Sequence, residues 1–174
     1  MTTYHIALGS NLGDRMQNLR AAGEALQRLH HPEAPFLASR VYETDPVDCA
    51  PGDPLFLNAV VALQSALGPL ELLDALQAIE QQMGRPPEHE VNAPRTIDLD
   101  LLAAGDWEFT HPRLILPHPR IAIRRFVLAP LCDLSPTCNC RAGRLPPQRC
   151  SRNCQRAPVP LSLPQPYDCL LSRP

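Results

Sequence analysis

The chain has 174 residues, of which 44% are apolar, and a formal net charge of −2. This length suits one domain with a hydrophobic core and leaves little room for a second. No apolar run approaches the length of a membrane-spanning helix, and the first residues lack the pattern of a secretory signal. We therefore expect a cytoplasmic protein that does not associate with membranes.

Charged residues are divided unevenly along the chain. Residues 1–136 contain 10 arginines and 17 acidic residues, whereas residues 137–174 contain six arginines and one acidic residue. An acidic domain is a poor general binder of nucleic acid, so we expect no nucleic-acid partner. The chain has no lysine, and a bound phosphate would have to be held by arginine, a metal ion or the backbone. The composition is compatible with a small anionic ligand that arrives with Mg²⁺.

Hydrophobic periodicity predicts four strands and two long helices before residue 137. In chain order they are a strand at 4–8, a helix at 14–31, strands at 36–44 and 55–66, a helix at 69–84 and a strand at 95–104. Asp14 fits the N-cap of the first helix, Pro69 the first turn of the second, and Gly84 its end. Prolines interrupt the pattern at 45–54 and 85–94, which we expect to be loops.

This order of elements indicates an α+β fold of the ferredoxin-like type. Its βαββαβ sequence makes a four-stranded antiparallel sheet with both helices packed on one face. A last short helix is predicted at 123–131. We expect the opposite face of the sheet to carry no helix and to be available for a ligand and for loops.

The last part of the chain, residues 137–174, differs from the domain at 1–136. It holds five of the seven cysteines and seven prolines, and it has neither helical nor alternating periodicity. We expect an irregular or disordered tail without a function of its own. The spacing C-x-C-x9-C-x3-C leaves zinc binding as an alternative, and the abrupt change of composition also fits a shifted reading frame. Disulfides are not expected in a cytosolic chain.

Two aspartates stand in an otherwise apolar strand, “PRTIDLDLL” at 94–102. Asp98 and Asp100 alternate with apolar residues, so both point to one face, roughly 6.5–7 Å apart. Two like charges at that distance require a cation, and they can bracket two Mg²⁺ ions or share one. Alone, the pattern also fits the polar side of an exposed strand. Arg95 and Arg85 nearby favour a cradle for a polyphosphate.

Seven segments resemble the 6-hydroxymethyl-7,8-dihydropterin pyrophosphokinase family of folate biosynthesis. In family order they are “IALGSNLGDR” (6–15), “SRVYETDPV” (39–47), “FLNAVVAL” (56–63), “LLDALQAIEQQMGR” (72–85), “APRTIDLDLL” (93–102), “LILPHPRI” (114–121) and “RRFVLAPL” (124–131). They cover almost all of residues 4–136. The pair PRTIDLDLL and LPHPRI is highly specific.

The resemblance implies a magnesium-dependent transferase that moves a diphosphate from ATP to the hydroxymethyl group of the pterin. The products are AMP and the pterin diphosphate, and the partners are these small molecules, bound by a monomer. On this basis Asp98 and Asp100 hold two Mg²⁺ ions. Arg85 and Arg95 neutralise the phosphates, and Arg85 arrives as its loop closes. These four residues are the predicted catalytic set.

The resemblance also assigns residues to each substrate. The ATP-binding positions are Gln77, Glu80, Arg85, Arg95, Leu101, Leu114, Ile115, His118 and Arg124. The pterin-binding positions are Thr44, Asp45, Val47, Phe56, Asn58 and Phe126, with the flat ring between the two phenylalanines. Without the resemblance, the pattern of Gln77 and Glu80 would indicate an exposed helix face, and the two phenylalanines would fit core packing as well as a binding slot. Asn58 is different, because a buried amide needs hydrogen-bond partners.

Three features depart from the family pattern. In the loop at 85–94, Pro87 and Asn92 stand where many relatives have a basic residue and a tryptophan. Asp45 occupies a position where proline is common, and the tail replaces the usual C-terminal segment. A silent paralogue that binds nucleotide or pterin is therefore an alternative, but the retained aspartates and arginines favour an active enzyme with a less tightly closing loop.

Overall fold

The computed structural model describes residues 1–47, 52–86 and 93–134, together with the backbone of residues 159–162. The strands are β1 (Thr2–Ser10), β2 (Leu37–Ala38), β3 (Arg40–Thr44), β4 (Phe56–Ser65), β5 (Asp98–Ala104), β6 (Phe109–His111), β7 (Leu114–Leu116) and β8 (Val159–Ser162). The helices are α1 (Arg15–Gln27), α2 (Pro69–Gln82), the short 3-10 helix Ile121–Ile123, and α3 (Arg125–Leu134).

The main sheet is antiparallel and has the strand order β5-β1-β4-β3, with β8 outside β3 and β2 also paired with β4. This order confirms the predicted ferredoxin-like fold. The predicted strand at 36–44 is two strands, because Ser39 interrupts it. There, the Oγ atom of Ser39 accepts a hydrogen bond from the amide of Val60 at 2.9 Å. The strand that carries the paired aspartates begins at Asp98, three residues later than predicted.

One face of the sheet packs against α1 and α2 and forms the main core. Its fully buried side chains include Tyr4, Ile6, Leu8, Leu19, Leu26, Leu63, Leu72, Leu76 and Ile97. Strand side chains alternate between faces, so Leu99 and Leu101 join this core while Asp98 and Asp100 point to the opposite face. Both predicted helices therefore lie on the side of the sheet away from the two aspartates.

Local sequence signals set the ends of α1 and α2. The side chain of Asp14 accepts a hydrogen bond from the amide of Gln17 at 3.0 Å, as expected of an N-cap. Pro69 occupies the first turn of α2. Gly84 has a φ of 92° just beyond the end of α2, a conformation that glycine adopts without strain. The second helix therefore delivers Arg85 to the edge of the sheet.

The third helix lies on the opposite face. Its residues Val127 and Leu131 pack against Val60 of β4 and Leu102 of β5. The expectation that this face carries no helix was wrong at this end of the sheet, because α3 has an apolar stripe of its own to bury. Among the described residues, the part of this face that no helix covers is the end where β5 begins.

Three further strands, β6, β7 and β8, were not predicted. Strands β6 and β7 form a hairpin, and Arg113 in its turn forms an ion pair with Asp74 of α2. In the tail, β8 pairs with β3, with Ser162 opposite Arg40. The rest of the tail, with its five cysteines, lies outside the described residues, so the interpretation of residues 137–174 stays a prediction.

Two further findings concern a cysteine and the length of the helices. Cys132 in α3 is disulfide-bonded, which the expectation of reduced cysteines did not anticipate. No helix in the described ranges is both long and apolar enough to cross a membrane.

Asp133 fastens α3 to β3. Its Oδ1 atom lies 2.6 Å from Nη2 of Arg40, and its Oδ2 atom accepts a hydrogen bond from the hydroxyl of Tyr42 at 2.9 Å. An acidic residue in the last turn of a helix is disfavoured by the helix dipole, so these tertiary partners must compensate. Burial alone would raise the pKa of Asp133, but hydrogen bonds from Arg40 and Tyr42 outweigh it and hold that pKa below the ordinary value.

We expect Asp133→Asn to lower the free energy of unfolding at neutral pH, because the variant loses the charge that pairs with Arg40. A carboxyl whose pKa is lowered by folding stabilises above its unfolded pKa, roughly 4, and loses this effect as the pH falls through its folded pKa. In urea unfolding, the difference between wild type and variant should therefore shrink as the solution is acidified below roughly pH 4.

The control is Asp106→Asn, at an exposed position, and this variant should have the same free energy of unfolding as wild type at neutral pH. A difference for Asp133→Asn that persists undiminished into acid would contradict the charge-pair explanation.

Candidate active site

The uncovered end of the sheet brings the predicted site residues onto one face. Across the β1–β5 ladder Asp98 lies opposite Gly9, and across the β1–β4 ladder Gly9 lies opposite Asn58. A Cβ atom on Gly9 would lie 3.1 Å from Oδ1 of Asn58 and 3.6 Å from Cδ1 of Phe56. The central strand thus contributes no side chain here, and the groups of β4 and β5 face a shared space.

Both aspartates are paired with arginines. The Oδ1 atom of Asp98 lies 2.6 Å from Nη1 of Arg85, and its Oδ2 atom lies 3.2 Å from Nη2 of Arg95. Asp100 receives Nη1 of Arg124 at 2.9 Å. The sequence predicted positive charge at these carboxylates, and three of the predicted arginines supply it.

Two of these three arginines lie over the phenylalanines that were predicted to border the pterin. The Cζ atom of Arg95 is 5.5 Å from the centre of the Phe56 ring, and that of Arg124 is 5.6 Å from the centre of the Phe126 ring. Both distances are in the range of cation–π interactions. Arg95 and Arg124 therefore each connect one aspartate with one aromatic ring.

Asn58 has the partner that its burial requires. Its Nδ2 atom donates to Oγ1 of Thr44 at 2.8 Å, which leaves its Oδ1 atom directed towards Gly9. Asn11, which sequence reasoning left out of the site list, is also buried. Its Oδ1 atom accepts a hydrogen bond from the amide of Arg95 at 2.8 Å, so it holds the start of the PRTIDLDLL segment.

Gln77 and Glu80, which the resemblance placed together at the nucleotide, differ in their surroundings. Gln77 is exposed, whereas Glu80 is buried, paired with Arg85 and bonded to the amide of Leu99 at 2.7 Å. Burial raises the pKa of Glu80, and the Leu99 amide and Arg85 offset only part of this. For Arg85 burial acts to lower the pKa, but Asp98 and Glu80 raise it above the ordinary value, so the guanidinium stays charged.

The remaining predicted nucleotide positions are divided between core and surface. The side chains of Leu101 and Leu114 are buried in the main core, while Ile115 is 49% exposed. His118 is half-buried, and its Nδ1 atom accepts from the amide of Arg120 at 3.1 Å. Burial lowers the pKa of His118, which favours the neutral ring.

Two predicted pterin positions, Asp45 and Val47, are exposed at the edge of the described residues. The loop positions Pro87 and Asn92 lie outside the described residues, so the expectation of a less tightly closing loop stays a prediction.

The donor set of the site suits a hard divalent cation. Two carboxylates point into it, and within the described ranges no group of three or more His, Cys, Asp or Glu side chains could hold a metal ion. Mg²⁺ commonly takes only one or two protein carboxylates when substrate phosphates supply the other oxygens. A sheet face with this charge arrangement is typical of enzymes that transfer a phosphate-containing group with a divalent metal.

Comparison with known proteins gives the family. The model of the 7,8-dihydro-6-hydroxymethylpterin-pyrophosphokinase (HPPK) family matches residues 5–136. A 2-amino-4-hydroxy-6-hydroxymethyldihydropteridine pyrophosphokinase of Pseudomonas aeruginosa is 44% identical over 146 residues, 83% of this chain and 87% of the relative. The Bacillus subtilis enzyme of the same name is 44% identical over 130 residues, 75% and 76% of the two chains. The chain belongs to the HPPK family.

Solved structures agree on the fold. Two crystal structures of Plasmodium falciparum HPPK-DHPS match with TM-scores of 0.57 and 0.51 at 15% and 16% identity. The match covers 76% and 77% of this chain but only 39% and 40% of the other chains.

The predicted function is confirmed by the family: pyrophosphoryl transfer from ATP, the co-substrate, to 6-hydroxymethyl-7,8-dihydropterin in folate biosynthesis.

We expect Gly9→Ala to weaken pterin binding, because the new methyl group would push Oδ1 of Asn58 out of the space shared with Phe56. The dissociation constant for the pterin, measured by fluorescence titration, should rise about tenfold, which corresponds to about 1.4 kcal/mol. ATP affinity should change much less.

Gly23→Ala is the matched control, because a Cβ at this position of α1 meets nothing within 4 Å. It should leave binding unchanged and, as a glycine replaced inside a helix, should stabilise the fold by roughly 0.5–1 kcal/mol. Equal pterin affinity in wild type and folded Gly9→Ala would show that this space does not receive the pterin.

Proposed function

We propose that the face described above performs the transfer with the phosphates of ATP over Asp98 and Asp100 and the pterin beside Phe56, Asn58 and Phe126. One observation carries this proposal: the two carboxylates share a face, and the arginines that pair with them also lie over the two aromatic rings. The reacting groups of the two substrates would meet at these arginines.

The reaction exchanges one bond to phosphorus for another. The hydroxymethyl oxygen of the pterin forms a bond to the β-phosphorus of ATP and loses its proton. The bond from the β-phosphorus to the oxygen that bridges to the α-phosphorus breaks, and AMP leaves. Because little covalent chemistry falls to the protein, positioning and charge neutralisation carry most of the rate.

The two carboxylates would hold two Mg²⁺ ions together with the oxygens of the triphosphate, as the donor set suits a hard cation. When bound, magnesium neutralises phosphate charge and polarises the phosphoryl group that is attacked. Around it, Arg85, Arg95 and Arg124 would turn from carboxylate to phosphate oxygens, because a guanidinium pairs with either kind of oxyanion.

The pterin would stack on the aromatic faces and be read along its edge. Phe56 and Phe126 offer flat apolar surfaces, and Asn58 can both donate to and accept from a heterocycle. Thr44 holds the Asn58 amide in one orientation. Asp45 and Val47 would close over the outer edge of the ring.

The nucleoside would lie between α2 and the β6–β7 hairpin. Gln77 on the helix, Ile115 on the hairpin and His118 after it are the side chains that would border it, with Leu101 and Leu114 contributing backbone. The ion pair between Arg113 and Asp74 joins the hairpin to the helix.

We further propose that the protein acts as a monomer in the cytoplasm on these two small molecules. A silent paralogue would have no need of both aspartates and three arginines in this arrangement. The retained charge pattern therefore favours turnover.

We expect Asp98→Ala and Asp100→Ala each to reduce AMP formation at least about a thousandfold, or about 4 kcal/mol, because each removes an oxygen ligand from the metals. The assay measures AMP released from ATP and Mg²⁺, with and without 6-hydroxymethyl-7,8-dihydropterin.

Asp106→Ala, an exposed acid in the turn after β5, is the control and should keep wild-type activity. Circular dichroism checks that each variant is folded. AMP release that does not depend on the pterin, or that survives both substitutions, would overturn the proposal.

A further inference from the structure

Glu80 is a charged residue at a buried position, where an apolar side chain would cost less desolvation free energy. It lies on the face of α2 that packs toward β5 and is only 8% exposed. Burying a carboxylate costs free energy unless it is paired and hydrogen-bonded. The contacts that compensate this cost therefore indicate what the residue does.

The first contact is with the backbone of the strand that carries the aspartates. In the part of the chain that the structure describes, β5 lies at the edge of the sheet and forms a ladder with β1 alone. The amide of Leu99, the residue between Asp98 and Asp100, donates to Oε1 of Glu80 at 2.7 Å. An edge strand has amides that no neighbouring strand accepts from. At Leu99, the residue between the two aspartates, the carboxylate of Glu80 is the acceptor that a neighbouring strand would otherwise provide.

The second contact is with Arg85. Nη1 of Arg85 binds both Oε1 of Glu80 and Oδ1 of Asp98, and the amide of Arg85 donates to the carbonyl of Glu80 at 2.9 Å. The three side chains are only 11–23% exposed, so their attraction is little screened by water. Glu80 thereby fixes both the backbone and the guanidinium of Arg85.

We propose that Glu80 is a positioning residue, which sets the direction of Asp98 and Asp100 through Leu99 and directs Arg85 to the phosphates, rather than a ligand of the nucleotide. Its Oε1 atom is already occupied by both contacts. This inference rests on the proposed function, because the positioned groups are those assigned there to metal and phosphate.

Glu80→Gln and Glu80→Leu separate the two contacts. Glutamine keeps an oxygen that can accept from Leu99 but lacks the charge that holds Arg85, whereas leucine removes both. Hydrogen exchange measured by NMR should show the Leu99 amide protected in wild type and in Glu80→Gln, and exchanging at least tenfold faster in Glu80→Leu. This readout depends on neither metal nor turnover.

Binding measurements separate positioning from nucleotide contact. For Glu80→Gln we expect kcat to fall at least tenfold and Mn²⁺ binding, followed by electron paramagnetic resonance with a non-hydrolysable ATP analogue, to weaken severalfold. AMP binding without metal should stay within twofold of wild type. A nucleotide ligand predicts the reverse: AMP affinity falls tenfold while kcat at saturating ATP is unchanged.

Glu71→Gln is the matched control, since Glu71 is an exposed glutamate of the same helix that also accepts from a backbone amide, that of Gly68. It should match wild type in all three measurements. Wild-type kcat and Mn²⁺ affinity in Glu80→Gln, with Asp98→Ala inactive, would refute the inference and leave the proposed function standing. Activity that survives both aspartate substitutions would refute the proposed function first.

Discussion

The site depends on the repulsion between two carboxylates that a strand places side by side. Asp98 and Asp100 share a face of β5 because strand side chains alternate, and folding brings them together whether or not their charges are balanced. The chain balances them with Arg85, Arg95 and Arg124, which come from three different segments. The partners in these ion pairs can be exchanged. A divalent cation can replace the guanidinium beside a carboxylate, and a phosphate can replace the carboxylate beside a guanidinium. The same electrostatics therefore keep the fold intact and prepare it for a triphosphate.

The absence of lysine makes the arginines more informative. A guanidinium binds oxyanions through a planar fork and also packs on aromatic faces, and Arg95 and Arg124 do both. An ammonium group at either position would hold the carboxylate but would not present a flat surface to the ring. The arginines thus join the half of the site that suits phosphate to the half that suits a heterocycle, and the distance between the halves is set by single side chains rather than by loops.

Sequence reasoning succeeded where the signal is local. The alternation around Asp98, the N-cap at Asp14 and the stop at Gly84 each follow from a few neighbouring residues. The order of the predicted strands and helices gave the fold class, and the alternation gave the common face of the two acids. It failed where the partner is distant in sequence. The contact of Glu80 with Leu99, the docking of α3 on the opposite face and the Asp133–Arg40 pair join segments whose sequences contain no mark of the pairing. The resemblance named Glu80 and Arg124 as site residues, but only the structure shows which groups they contact.

The two faces of the sheet follow different rules. The face toward α1 and α2 packs mainly through apolar side chains such as Tyr4, Ile6, Leu8, Leu63 and Leu76. The residues that cost stability lie on or beside the other face: a glycine inside the central strand β1, adjacent like charges on β5, and a buried glutamate at its edge. Each of these exceptions touches a group assigned to a substrate or holds such a group in place. A chain selected for stability alone would have removed them, so their contacts with the candidate site are themselves an argument that this end of the sheet carries the chemistry.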